Sequence, residues 1–205
     1  MAIASPARTH GQWLKDRLAF PLLALMSSER ARSFGLTPLD DERIVACLQH
    51  ARGRLLDIGC GPNELVRRHG NGAGVDVHRW GRPDVLCDTT RLPFRDAAFD
   101  TVTLVASLNH IPDSKRQGVL SEARRVLRDD GQLLVTMIDP LIGKATHWLR
   151  RGVDPDQQDR GIHHDEDLGL WGSDVRRLLS EAGFRVTWQR RFVYGLNCLY
   201  RATKR

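Results

Sequence analysis

The glycine-rich turn after residue 58 constrains the fold more than any other part of the chain. Leu55-Leu56-Asp57-Ile58 is a short, mostly apolar run that leads directly into Gly59-Cys60-Gly61. Such a run is typical of a strand that is buried on both faces of a parallel sheet. Glycines directly after it permit a tight turn into a helix, which residues 64–69 can form. The turn therefore predicts the first strand–helix unit of an α/β fold.

Further strands and helices alternate along the rest of the chain. The predicted strands are residues 74–77, 84–87, 99–106, 132–138, 184–192 and 197–203. One predicted helix is capped by Asp113 and closed by Gly131, and another covers residues 171–182. The alternation predicts a Rossmann-like, doubly wound, mostly parallel sheet. The last two strands predict an antiparallel C-terminal edge hairpin.

Two segments depart from this alternation. Residues 1–50 favour two or three helices separated by glycine and proline, and we interpret them as an N-terminal helical lid. Residues from about 140 to 170 contain prolines, glycines and many charges, which indicate a loop-rich insertion. We therefore divide the chain into a lid, 1–50, and a ligand-binding domain, 51–205, that contains the insertion.

Composition narrows the class of protein further. The four cysteines are widely spaced and form no C-x-x-C pair, so we expect free thiols in a reducing, cytoplasmic compartment. The formal net charge is +6. Most basic residues occur as short pairs beside acidic neighbours on predicted helices, a pattern that favours solvated helix faces over a nucleic-acid footprint. We therefore do not expect a nucleic-acid partner.

Three predicted strand ends carry residues that suit one nucleoside-sized ligand. Gly59 and Gly61 follow the first strand, Asp76 ends the second, and Asp88-Thr89 follows the third. In a doubly wound sheet the carboxyl ends of the strands meet at one edge, where ligands bind. A carboxylate at Asp76 could accept two hydrogen bonds from ribose hydroxyls. The pattern therefore predicts a nucleoside-sized binding crevice at this edge.

Both a nicotinamide dinucleotide and S-adenosylmethionine present adenosine to such a crevice. The dinucleotide pattern G-x-G-x-x-G needs a glycine at position 64, where this chain has Glu64, whose carboxylate would repel a phosphate. S-adenosylmethionine has no phosphate and carries a cationic amine and a sulfonium, which tolerate Asp57 and Glu64. These residues favour S-adenosylmethionine.

The chain resembles the small-molecule branch of the class I methyltransferases, which includes enzymes that methylate quinones, lipids and secondary metabolites. The resemblance spans about residues 50 to 139. It is carried by the segments 55–61, Gly74-Val75-Asp76, Asp88-Thr89, Leu92-Pro93-Phe94, Phe99-Asp100, 109–113, 123–127 and Gly131. It departs from the family at Asn63, where a third glycine is frequent, and in the near absence of a helix between the second and third strands.

The resemblance implies an S-adenosyl-L-methionine-dependent methyltransferase that acts on a small metabolite, with hydrophobic acceptors included. It implies that Asp57, Gly59 and Gly61 line the methionine part, that Asp76 holds the ribose, and that Asp88 with Thr89 contacts adenine. Ala106 would lie beside the methionine amine. The expected cofactor-binding residues are Asp57, Gly59, Cys60, Gly61, Asp76, Val77, Asp88, Thr89 and Ala106.

Several assignments stay open at this point. His110 follows the fourth strand and is either a general base or a residue that fixes the loop before Pro112. We expect no metal site, because adjacent histidines on one loop, such as those within 163–167, seldom converge on one ion without distant partners. Apolar residues of the lid suit packing, an acceptor pocket or peripheral membrane contact. Alternatives to the enzyme are a non-catalytic protein that binds S-adenosylmethionine or S-adenosylhomocysteine, an RNA methyltransferase and an NAD-dependent oxidoreductase.

Overall fold

A computed structural model describes residues 10–19, 28–79, 82–141, 143–144, 167, 169–193 and 195–205. The helices are α1 His10–Leu18, α2 Ser28–Ser33, α3 Leu39–Leu48, α4 Glu64–His69, α5 Asp113–Val126 and α6 Gly172–Glu181. A short 3-10 helix spans Leu108–His110. The strands are β1 Leu55–Ile58, β2 Gly72–Asp76, β3 Val85–Leu86, β4 Phe99–Val105, β5 Leu127–Ile138, β6 Phe184–Phe192 and β7 Asn197–Lys204.

The strands form one seven-stranded sheet in the order β3-β2-β1-β4-β5-β7-β6. The first five pair in parallel, and β7 is antiparallel to both β5 and β6. This arrangement confirms the predicted doubly wound fold with its antiparallel C-terminal edge. The strand order reverses between β1 and β4, which places a crevice at their carboxyl ends.

Helices cover both faces of the sheet. On one face, α5 and α6 bury Leu120 and Val175 in the main core. On the other face, α3 and α4 contribute Cys47 and Leu65 to a second apolar cluster. Helix α3 therefore packs on the sheet, although it lies within the segment predicted as a lid. The lid role of residues 1–50 stays a prediction, and no described helix has the length and apolarity needed to cross a membrane.

Several predicted element boundaries are wrong. Helix α5 ends at Val126 and not near Gly131, because Leu127 is already extended and pairs with Phe99 on β4. Pro112 occupies the N-cap position, and Asp113 is the first helical residue. The third strand contains only Val85–Leu86. Among the described residues between β2 and β3, 77–79 and 82–84, there is no helix.

Candidate active site

The turn after β1 has a backbone that few side chains permit. Gly59, Gly61 and Asn63 have φ angles of +73°, +51° and +61°. The amide of Gly59 donates to the carbonyl of Val75 at 2.9 Å, which fixes the turn against β2. A Cβ on Gly59 would lie 2.6 Å from Cβ of Ser107, whereas one on Gly61 would meet no atom within 4 Å. Gly59 is thus required by the protein's own packing, and Gly61 by its backbone angle alone.

Asp76, at the end of β2, is joined directly to this turn. Its side chain is buried, and its Oδ2 accepts a hydrogen bond from the amide of Gly61 at 2.9 Å. Its Oδ1 accepts one from the amide of His78 at 3.0 Å. Each carboxylate oxygen can accept a second hydrogen bond, so Asp76 is held in place and can still bind the hydroxyls of a ligand.

Asp57 is a second buried carboxylate at the same place. Its pKa is raised to about 7, mainly by burial and to a smaller extent by the charge of Asp76, although a hydrogen bond from Thr103 lowers it. Thr103 Oγ1 donates to Asp57 Oδ1 at 2.6 Å. Two carboxylates within electrostatic range of each other favour a cationic ligand, because a positive charge stabilises both in their ionised form.

The end of β4 completes the wall of the crevice. Ala106 has a φ of +51°, which is uncommon for a residue other than glycine. Its amide donates to Oγ1 of Thr136 on β5 at 2.9 Å. Ser107 Oγ donates to the carbonyl of Ile58 at 2.9 Å, which ties this bend to the end of β1. Strained backbone of this kind is concentrated at binding and catalytic sites.

The third strand end lies beside the second. The amide of Cys87 donates to the carbonyl of Asp76 at 3.0 Å. Asp88 is exposed, and hydrogen bonds from the amide and hydroxyl of Thr90 hold its pKa below the usual range. Thr89 is buried.

Two further predicted cofactor-binding residues differ in exposure. Cys60 is buried within the turn, whereas Val77 is 52% exposed. The structure thus brings the buried carboxylates, the turn and Ala106 together, and it leaves Val77 and the Asp88 side chain at the exposed rim.

Asn63 forms a contact that sequence reasoning missed. Its Nδ2 donates to the carbonyl of Arg82 at 3.2 Å and to Oδ2 of Asp84 at 3.0 Å. The same Asp84 oxygen accepts the amide of Gly74 at 2.8 Å. Asn63 therefore clamps the short β2–β3 connection to the turn. The available signal was an asparagine at a frequent glycine position, combined with a connection too short for a helix.

Glu64 does not act as the sequence suggested. Its carboxylate accepts hydrogen bonds from Arg67 and Arg68, each at 2.8 Å, and these lower its pKa. The repulsion of a phosphate that we predicted from Glu64 is therefore largely compensated. The argument against a dinucleotide rests on the missing third glycine instead.

His110 is exposed at the end of the 3-10 helix after β4. The adjacent Asn109 is buried, and its Nδ2 donates to the carbonyl of Asp167 at 3.1 Å. Arg116, also buried, donates to the Asp167 carboxylate at 2.7 Å, so this loop is well braced. Residues 163–166 of the histidine-containing segment lie outside the described residues. Within the described part of the chain, no three His, Cys, Asp or Glu side chains are grouped as a metal site.

A family model described as a methyltransferase domain matches residues 56–135. The range runs from β1 to β5 and contains the turn, Asp57, Asp76 and Ala106. Over these residues the chain is similar to a methyltransferase domain. The resemblance recognised in the sequence is thereby confirmed for this domain.

Curated relatives are similar to this chain over part of their length. A demethylmenaquinone methyltransferase from Streptomyces griseus is 30% identical over 145 residues, which cover 64% of this chain and 61% of that protein. The chain spans only 36% and 42% of two further curated relatives.

A methyltransferase structure from Thermotoga maritima, described as S-adenosylmethionine-dependent, is 16% identical with a TM-score of 0.61, and the match covers 95% of this chain and 97% of that one. A Burkholderia thailandensis 1,6-didemethyltoxoflavin-N1-methyltransferase, solved with 1,6-didemethyltoxoflavin and S-adenosylhomocysteine, is 18% identical with a TM-score of 0.59 over 98% of this chain and 92% of that one. These structural similarities show a shared fold.

Proposed function

We propose that this protein binds S-adenosyl-L-methionine at the carboxyl ends of β1, β2 and β4 and transfers its methyl group to a small molecule. The observation that carries the proposal is the pair of buried carboxylates, Asp57 and Asp76, beside a turn built on Gly59 and Gly61. The ammonium and sulfonium of the cofactor complement these negative charges. The absence of phosphate fits a turn without a third glycine.

The proposed roles follow the position of each residue. Asp76 accepts hydrogen bonds from the ribose hydroxyls, while the turn and Ala106 surround the methionine part. Asp88 and Thr89 lie on the adenine side. The sulfonium supplies an activated methyl group, so the protein's main contribution is to hold the acceptor in line with it. His110 remains the candidate base for acceptors that must lose a proton.

The acceptor class is a finer part of the proposal. The relative from Streptomyces griseus is named for a quinone substrate, which supports a small acceptor with a large apolar surface. The exposed position of His110 next to a braced loop is compatible with access of such an acceptor to the end of β4.

Calorimetric titration tests the cofactor proposal. We expect wild-type protein to bind S-adenosylmethionine and S-adenosylhomocysteine with micromolar affinity and to show no heat with NAD. Asp76→Ala should lose about two orders of magnitude in affinity, because two hydrogen bonds to a charged group are removed. Asp129→Ala removes a carboxylate that is 97% exposed near the start of β5, where it pairs with Lys204, and should bind like wild type. Equal affinity in the Asp76 and Asp129 variants would refute the assigned site.

Formation of S-adenosylhomocysteine separates an enzyme from a protein that only binds the cofactor. We expect acceptor-dependent release of S-adenosylhomocysteine when pools of small metabolites are added. Binding without turnover across quinones, phenols and amines would favour the sensor or partner-subunit alternative.

A further inference from the structure

A groove of about 440 Å³ lies on the α6 side of the sheet, apart from the residues described above. It lies between the end of β5, the start of α6 and the hairpin β6–β7. Its lining residues are Met137, Ile138, Asp139, Leu170, Trp171, Gly172, Ser173, Arg176, Gln189, Arg191, Leu196, Cys198 and Tyr200.

The groove lies at the carboxyl end of β5, along the same edge of the sheet as the proposed methyl-transfer site. Thr136, whose hydroxyl accepts a hydrogen bond from the amide of Ala106, directly precedes the groove residue Met137 on β5. Tyr200 lies on β7, the next strand beyond β5. Since neighbouring strands are about 4.8 Å apart, the groove lies roughly 10 Å from the end of β4. A single elongated small molecule can span that distance.

Two arginines give the groove its chemical character. Arg176 of α6 donates to Oε1 of Gln189 at 3.0 Å, and Arg191 of β6 donates to the carbonyl of Gly195 at 2.8 Å. Within the described residues neither guanidinium has a carboxylate oxygen within 4.0 Å. A guanidinium has five N–H donors, so each arginine retains most of its capacity to bind an oxyanion.

The hydroxyl of Tyr200 lies where these charges converge. Burial raises the pKa of Tyr200 to about 12, and the positive charges of Arg176 and Arg191 oppose that rise. A Cβ built on Gly172 would be 2.9 Å from the Tyr200 hydroxyl and 3.5 Å from Nη1 of Arg176. The hydroxyl and one guanidinium therefore meet at the first residue of α6.

The start of α6 adds further donors beside the arginines. Trp171 precedes the helix and makes no side-chain capping hydrogen bond. The first amides of a helix lack intrahelical acceptors and carry a partial positive charge. Among the described lining residues Asp139 is the one carboxylate, and its Oδ1 accepts a hydrogen bond from the amide of Leu141. Positive charge therefore exceeds negative charge among the described residues that line the groove.

The remaining wall is apolar. Met137, Leu170 and Leu196 line it, and Trp171 is 47% exposed at its margin. Such a combination of an apolar wall and a few convergent polar groups is typical of small-molecule sites. We propose that this groove binds the carboxylate or phosphate end of the methyl acceptor, with the apolar body of that acceptor extending past Trp171 towards Ala106. The proposal rests on the function proposed above and narrows its substrate class to acidic acceptors.

Binding of a matched acid and amide tests this assignment. We would titrate 4-hydroxycinnamate and its neutral amide into the protein saturated with S-adenosylhomocysteine. The acid should bind about tenfold or more tightly than the amide, and inorganic phosphate should compete with it. The preference should disappear in the double variant Arg176→Met/Arg191→Met. It should persist in Arg177→Met/Arg190→Met, which removes the same charge from neighbouring positions outside the lining.

Gly172→Ala provides an independent test without a change of charge. Alanine suits a helix, so the fold should be retained, but the new methyl group would crowd the Tyr200 hydroxyl. We expect weaker binding of the acid and unchanged binding of S-adenosylhomocysteine. The same titrations keep the two proposals distinguishable, because failure of wild-type protein to bind S-adenosylhomocysteine sinks the proposed function and not the groove.

Three outcomes would overturn the groove assignment. These are no measurable binding of either acid or phosphate, an acid preference that survives in the double arginine variant, and binding of phosphate without any preference for the acid over the amide. The last result would mean that the groove takes a free anion. Equal binding of acid and amide without competition from phosphate would also overturn the assignment, because it would favour a neutral, quinone-like acceptor.

Discussion

The two ends of the ligand-binding edge are built in different ways. At the end formed by β1, β2 and β4, which we call the turn side, the backbone itself shapes the site. Four residues there have positive φ angles: Gly59, Gly61, Asn63 and Ala106. At the groove, the chemistry comes from long side chains, Arg176, Arg191 and Tyr200, on three separate elements. The turn side therefore tolerates little change, whereas the groove can change its specificity without a change of fold.

The largest expected effect is the loss of stability and cofactor binding in Gly59→Ala, which we compare with Gly61→Ala. Gly59→Ala places a methyl group against Ser107 and strains a φ of +73°, so we expect loss of several kcal/mol of stability and of cofactor binding. Gly61→Ala meets no atom within 4 Å and should cost only about 1–2 kcal/mol. Thermal denaturation and titration with S-adenosylhomocysteine measure both effects. If Gly59→Ala were as stable as wild type and bound S-adenosylhomocysteine as tightly, the claim that the backbone shapes the turn side would be contradicted.

A smaller expected effect is the pH dependence of the protein's stability that is caused by Asp57 on the turn side. Its pKa in the folded protein is raised from 3.8 to about 7, so folding favours the protonated form. The unliganded protein should therefore lose stability as the pH rises between these values. Asp57→Asn should remove this loss and be more stable than wild type at pH 8, by up to a few kcal/mol. Denaturation at pH 5 and pH 8 measures this difference in stability. Asp129→Asn, which changes an exposed carboxylate, is the control.

The opposite result for Asp57→Asn would also be informative. A variant less stable than wild type at pH 8 would mean that the carboxylate is already ionised and stabilised within the folded protein. The electrostatic argument for a cationic ligand would then lose its main support.

Asn63→Gly tests separately what the side chain contributes on the turn side and what the backbone conformation contributes. Glycine keeps the φ of +61° without strain but removes the hydrogen bonds to Arg82 and Asp84. We expect stability to fall by about 1–2 kcal/mol, since each lost bond is worth about 1 kcal/mol. Cofactor affinity should fall about tenfold, because the β2–β3 connection is released from the turn. Asn71→Gly, which removes one exposed hydrogen bond to Gly53, is the control. Unchanged affinity in Asn63→Gly would show that the β2–β3 connection does not contribute to the cofactor site.

The smallest effect is expected for Glu64→Gln. Because the carboxylate is paired with Arg67 and Arg68 at partly exposed positions, its removal should change stability by less than about 1 kcal/mol. We also expect no gain of NAD affinity in calorimetry. Measurable NAD binding by this variant would support the prediction from the sequence that the Glu64 carboxylate excludes a phosphate.

Much of the turn side could be predicted from the sequence because its signals are local. Apolar runs and glycines place β1 and the turn, and an aspartate at a strand end has one plausible position in a parallel sheet. The end of α5 could not be predicted this way. Leu127 satisfies both the apolar stripe of the helix and the buried face of β5, and only pairing with Phe99 decides between them.

Contacts between distant residues account for what the sequence could not show. The Asn63–Asp84 hydrogen bond joins residues on different connections. Arg176 and Arg191 line the same groove only after β6 has paired with β7 in its observed register. In the sequence, Arg190-Arg191 is a simple basic pair. The register of β6 decides that Arg191, opposite Cys198, lines the groove.

A crystal structure of the complex with S-adenosylhomocysteine tests the central claim most directly. The account predicts ribose hydroxyls within hydrogen-bonding distance of the Asp76 carboxylate and the amino-acid part of the ligand beside Gly59, Gly61 and Ala106. Ligand bound elsewhere, or crystals grown at saturating ligand with no density at this turn, would contradict it.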